Sequence, residues 1–143
     1  FQKKKQNKDE MCCALMLYYM MNDTKYIEFY EQEISFVPME RYEKIANELL
    51  AFFLKYNYIN IADFITYEIE SDHYEDVLDI IDRNANIELS DAEFVGLIER
   101  MKNLNAEKKI EELKQQLKLA SDINEKSKII DEIANMKKRM CKE

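Results

Sequence analysis

Apolar residues recur along most of this chain at every third or fourth position, the period of a helix that buries one face. Asn7 stands where an N-cap is needed for a first helix reaching about Met20, with Asp9 and Glu10 in the turn where carboxylates complement the helix dipole. A second helix is expected from about Asp23 to Glu33, with Tyr26, Ile27, Phe29, Tyr30 and Ile34 supplying its apolar face. Pro38 suits the first turn of a third, along which Tyr42, Ile45, Ala46, Leu49, Phe52, Phe53 and Tyr56 keep the period. Asn60 caps the short segment "IADFITYEI". Ser71 or Asp72 caps a fifth helix, in which Tyr74, Val77, Leu78 and Ile81 share a face.

"SDAE" at Ser90 to Glu93 has the S-x-x-E form of a capping box, and nothing after Gly96 breaks the helix that follows. About 30 residues of helix measure roughly 45 Å, enough to project beyond a small globule. In its second half the apolar positions thin to Ile110, Leu113, Leu117 and Ala120. "SDIN" interrupts them, and Ile129, Ile133, Met136 and Met140 resume the spacing. Two narrow seams joined by a short turn describe an antiparallel helical hairpin, each seam covering the other. Ile123 near the turn and Ile130 beside the seam are apolar positions that the hairpin alone leaves uncovered, as at partner contacts.

One stretch departs from the period. "MCCALMLYYMM", Met11 to Met21, has no charged residue at all. It is shorter than the roughly 20 apolar residues that span a bilayer. Lysines precede it, but Asp9 and Glu10 intervene and no small-residue cleavage site follows, so no export signal is read and a cytoplasmic location is expected. Adjacent cysteines on a helix point about 100° apart, so Cys12 and Cys13 do not converge on one metal ion and are expected to be small packing residues. The run reads as a helix surrounded on all sides.

Composition sharpens the fold class. One glycine and one proline in 143 residues leave little material for hairpin turns or phosphate-cradling loops, which points to an all-α protein. Charge then divides it: residues 106–143 hold ten Lys/Arg and eight Asp/Glu, against 11 and 21 in residues 1–105. The expected organisation is a linker remnant over 1–8, an acidic helical bundle over 9–105, and a C-terminal helical hairpin over 106–143. Since the chain begins at Phe1, it is expected to be part of a longer protein.

The inventory for catalysis is sparse. Neither G-x-x-x-x-G-K-[ST] nor G-x-G-x-x-G is possible with a single glycine. Glu70 and His73 satisfy Glu-x-x-His, but a di-iron bundle needs that motif twice and His73 is the one histidine, so a surface histidine beside capping acids is the better reading. No catalytic residue, cofactor or metal ligand is expected. The many tyrosines fall in the acidic part, which favours packing over stacking on nucleic acid, and the basic tail "KKRMCK" also suits the end of a helix dipole.

"DEMCCALMLYYMMND", "RYEKIANELLAFFLKYN", "EFVGLIERMKN" and "IIDEIANMKKRM", in that order and spacing, resemble the C-terminal helicase-binding domain of bacterial DNA primase, over residues 9–143. The resemblance implies a helical-bundle subdomain, a long connecting helix and a terminal hairpin. It further implies a non-catalytic role: docking primase onto the N-terminal domain of the hexameric replicative helicase and modulating priming and unwinding. Zinc and magnesium would belong to upstream primase domains. Carried onto this chain, the helicase contact falls on Ile123, Ile130, Ile133, Met136, Lys137 and Met140. Two alternatives stand beside it: the N-terminal domain of the helicase itself, which shares the bundle fold, and a nucleic-acid-binding bundle using the basic tail. No membrane partner is implied, and nucleic-acid binding by this part would be weak or absent.

Overall fold

The computed structural model describes residues 7–34 and 36–141. The expected linker lies outside them as far as residue 6, as does Lys142 of the basic tail. The described residues form seven α-helices and no strand: α1 Lys8–Asn22, α2 Thr24–Glu33, α3 Glu40–Tyr56, α4 Ile61–Glu68, α5 Tyr74–Asn84, α6 Asp91–Leu119 and α7 Ile123–Cys141. The protein is all-α. It divides into two compact units, Phe1–Met101 and Lys102–Glu143, with α6 helical throughout its 29 residues.

The first unit is built around α1. Cys13, Ala14 and every residue from Met16 to Met21 are buried, and α2, α3, α4 and α5 all pack against this helix. No helix is long and apolar enough to cross a membrane among the described residues. Burial pushes the Cys13 thiol far above its ordinary pKa, with Cys12 adding to the effect, so Cys13 is held protonated. It behaves as a small apolar residue.

Side chains cap α1, α2 and α4, at Asn7 and Asn60 as the sequence suggests and at Asp23 besides. Asn7 accepts from the Glu10 amide at 2.8 Å, Asp23 from Lys25 at 3.0 Å, and Asn60 from Asp63 at 2.8 Å. Three expectations are corrected. Pro38 lies outside α3, because Met39 is still extended and its carbonyl takes the first amides, from Tyr42 and Glu43. His73, not Ser71 or Asp72, precedes α5, since the Ser71 hydroxyl is spent on the His73 amide within the turn. The buried face of α5 is Val77, Ile80 and Asn84, which leaves Leu78 exposed.

Phe94 of α6 closes the far side of this core. Its ring lies 5.4 Å from Tyr19, 4.6 Å from Tyr26 and 6.0 Å from Phe29, within the range of favourable aromatic pairs. Both tyrosine hydroxyls find partners at the start of α6. Tyr26 donates to Asp91 at 2.6 Å, while Tyr19 accepts from the Ser90 amide at 3.1 Å. The capping box is therefore half formed: Ser90 accepts from the Glu93 amide at 3.4 Å, but the Ser90 amide goes to a buried phenol that needs a donor. Arg100 hydrogen-bonds Asp9 and ties the same stretch of α6 to the start of α1.

Glu68, at the end of α4, is fully buried, and neither carboxylate oxygen has a hydrogen-bond partner of ordinary geometry. Burial raises its pKa, Ser71 pulls it back and Glu48 adds repulsion. With the folded value above the unfolded one, both states carry the proton at low pH and no penalty arises. As pH rises through the folded pKa, the fold must bury a carboxylate and stability is lost. Glu68→Gln is therefore expected to raise the melting temperature at neutral pH by a gain of about 1 kcal/mol, vanishing near pH 4. Thermal unfolding followed by circular dichroism across that range checks it.

Gly96 sits in α6 with nothing within 4 Å of where a Cβ would stand. Gly96→Ala is expected to stabilise the protein by about 0.5 to 1 kcal/mol in denaturant titrations, because the backbone entropy of glycine is removed at no steric cost.

Candidate functional site

The second unit pairs the C-terminal part of α6 with α7. Asp122 ends the intervening turn: its carboxylate accepts from the Asn124 amide at 3.1 Å and its carbonyl from Lys126 at 3.0 Å. Lys102, Asn103 and Ala106 of α6 line one cavity, of about 140 Å³, with Met136, Arg139 and Met140 of α7. The start of one segment thus lies beside the end of the other, which is the antiparallel hairpin.

Its seam is thin. Ile110, Leu113 and Ile129 are buried, whereas Leu117, Ala120, Ile133, Met136 and Met140 are half-buried. A two-helix hairpin has only one line of contact, so each helix keeps most of its surface in water.

The six residues expected at a partner contact separate into two groups. Ile133, Met136 and Met140 lie on the seam side, the two methionines against α6 residues. Ile123, Ile130 and Lys137 are exposed and recur at intervals of seven, so each falls within about 20° of the next around α7. Ile123 is 78% exposed and Ile130 51%, next to Ile129 at 7%. Leu119, at the end of α6, is 86% exposed. The sequence reading passed over it because it falls off the seam spacing; its place within four residues of Ile123 was the available signal. The result is a stripe of apolar side chains around the turn end of the hairpin, in a unit of nearly balanced charge with eleven Lys/Arg against eight Asp/Glu.

A cleft of about 580 Å³ on the first unit is lined by Glu10, Arg41, Lys44, Asp72 and His73 among others, but its charges meet one another. Arg41 hydrogen-bonds the Tyr42 hydroxyl and lies 3.9 Å from Glu10, and Lys44 lies 3.6 Å from Glu40. Glu70 and His73 belong to the turn between α4 and α5, so they do not share a helical face as a Glu-x-x-His ligand pair would. Among the described residues no group of three or more His, Cys, Asp or Glu side chains is placed to hold a metal ion.

Compared with models of known protein families, with curated proteins and with solved structures, the chain finds no match.

The neighbouring isoleucines give a direct check on the seam. Ile129→Ala is expected to cost about 2 kcal/mol or more, as large-to-small changes at buried sites do, whereas Ile130→Ala stays within about 0.5 kcal/mol. Urea denaturation of the two variants reads the difference, and equal losses would show Ile130 to be part of the hydrophobic core.

Proposed function

We propose that this chain is a non-catalytic interaction domain of the primase type, which docks on the N-terminal domain of a hexameric replicative helicase through its C-terminal hairpin. The observation that carries the reading is the apolar stripe of Ile123 and Ile130, with Leu119 four residues before Ile123, on a hairpin that buries only Ile110, Leu113 and Ile129 among its described residues. A surface of this kind is costly to leave in water and gains by meeting an apolar groove or a second helix pair, where i and i+7 anchors on one face are the usual readers. Lys137, in register with the isoleucines, adds a charge at the rim, where it steers approach more than it adds affinity. The division of labour also supports the reading. The acidic unit has a large buried core of its own, whereas the near-neutral hairpin has a thin one and exposes Leu119, Ile123 and Ile130 beside it.

Isothermal titration calorimetry of the chain against the N-terminal domain of a replicative helicase should give saturable binding. Ile123→Asp combined with Ile130→Asp should weaken it at least tenfold, about 1.4 kcal/mol, with the helical circular dichroism unchanged. No association at high micromolar concentration would reject the proposal. Tight, salt-sensitive binding to single-stranded DNA in its place would assign the basic tail to nucleic acid instead.

A further inference from the structure

The first unit carries a second feature that the hairpin does not explain. Asn57 ends α3 in the left-handed conformation, with φ 60°, a geometry asparagine tolerates better than most residues. That reversal brings Tyr58 back beside Tyr56, with ring centroids 6.4 Å apart. Phe52, buried, forms a floor at 4.7 Å from Tyr56, 5.7 Å from Tyr58 and 5.3 Å from Tyr67 of α4. The rings are steeply inclined, at 75° for Phe52 and Tyr58, 84° for Phe52 and Tyr67, and 88° for Tyr56 and Tyr67. Between them lies a cavity of about 220 Å³, completed by Asp63 and Thr66. That is several times the roughly 30 Å³ share of a water molecule. All three tyrosines are solvent-exposed at its rim.

We propose that this pocket is a binding site for a methylated ammonium group. Aromatic rings that line a common space attract a cation through the negative faces of their quadrupoles, the recognition used for quaternary ammonium ligands generally. The cluster already attracts one cation of its own chain: Lys55, which does not line the cavity, holds its ammonium 5.3 Å from the Tyr56 centroid. Asp63 supplies a negative charge at the mouth. Tyr58 donates a hydrogen bond to its Oδ2, and so does Asn60, at 3.0 Å. These two bonds hold the Asp63 carboxyl below its usual pKa, so it is ionised at neutral pH.

The polar groups also select among cations. Asp63 Oδ2 already accepts two hydrogen bonds, and the Thr66 hydroxyl donates to the Ala62 carbonyl at 3.1 Å. A primary ammonium or a guanidinium needs several acceptors for its N–H donors, and these walls are mostly rings. A cation whose nitrogen is covered by methyl groups needs none.

Titration with choline, followed by NMR of the aromatic resonances, tests the site. Choline should shift Tyr56, Tyr58 and Tyr67 saturably, and its neutral carbon isostere dimethylbutanol should bind roughly tenfold more weakly. Tyr67→Leu should abolish the effect. Asp63→Asn should weaken choline binding roughly threefold with the rings in place, and it keeps the test decidable if the tyrosine variant fails to fold. Comparing free choline with a trimethyllysine amide then distinguishes a small molecule from a modified peptide as the source. Equal binding of choline and dimethylbutanol, tighter binding of methylguanidinium, or no saturable shift at high millimolar choline would overturn the proposal. None of these outcomes depends on whether the hairpin binds a helicase.

Discussion

Eight of the fifteen residues of α1 are buried, seven of them within the stretch from Ala14 to Met21, so this helix has no face that it can leave in water over its second half. The remainder of the first unit follows from that constraint. A single neighbouring helix covers one stripe; covering the whole circumference takes several, and α2, α3, α4 and α5 all pack on α1. The bulky tyrosines at its end then impose a second requirement, because a buried phenol needs a hydrogen bond. Tyr19 obtains one from the Ser90 amide, which fixes where α6 begins.

The two units solve the burial problem in opposite ways. In the first, methionines and a cysteine fill the irregular spaces left where helices cross, and the acidic residues other than Glu68 stay out of the core. In the second, two helices share one seam, and the apolar residues in excess of that seam are left exposed. The same residue type therefore means different things in the two places. Ile27 and Ile45 are core because their helices pack among several others, whereas Ile123 and Ile130 belong to a two-helix hairpin and stay exposed.

Much of this was legible in the sequence because it depends on local chemistry. Asn7 and Asn60 cap helices because their side chains reach amides three residues on, a relation that needs no knowledge of the fold. The buried α1 and the seam of the hairpin follow from which residues are apolar and how they are spaced. The failures occurred where a distant group decided the outcome. Leu78 and Ile80 are equally apolar, and only the direction from which α1 and α4 approach α5 puts one out and the other in. The second arm of the capping box at Ser90 was lost to a tyrosine 71 residues away. Glu68 gave no sign of burial, since a glutamate near a helix end usually faces water. The aromatic pocket was equally hidden, because it depends on one asparagine turning the chain back and on α4 bringing Tyr67 to meet the returning rings.

The thin seam of the hairpin has a consequence for how the molecule opens. Among the described residues three buried side chains hold together two helical segments, where α1 alone contributes eight to its own core. Cooperative units with so few buried contacts open at a small fraction of the global unfolding free energy, so the hairpin amides should exchange with solvent while those of α1 remain protected. A partner that covers Ile123 and Ile130 would then supply the layer of core the hairpin lacks. Part of its binding free energy would go into holding the hairpin closed.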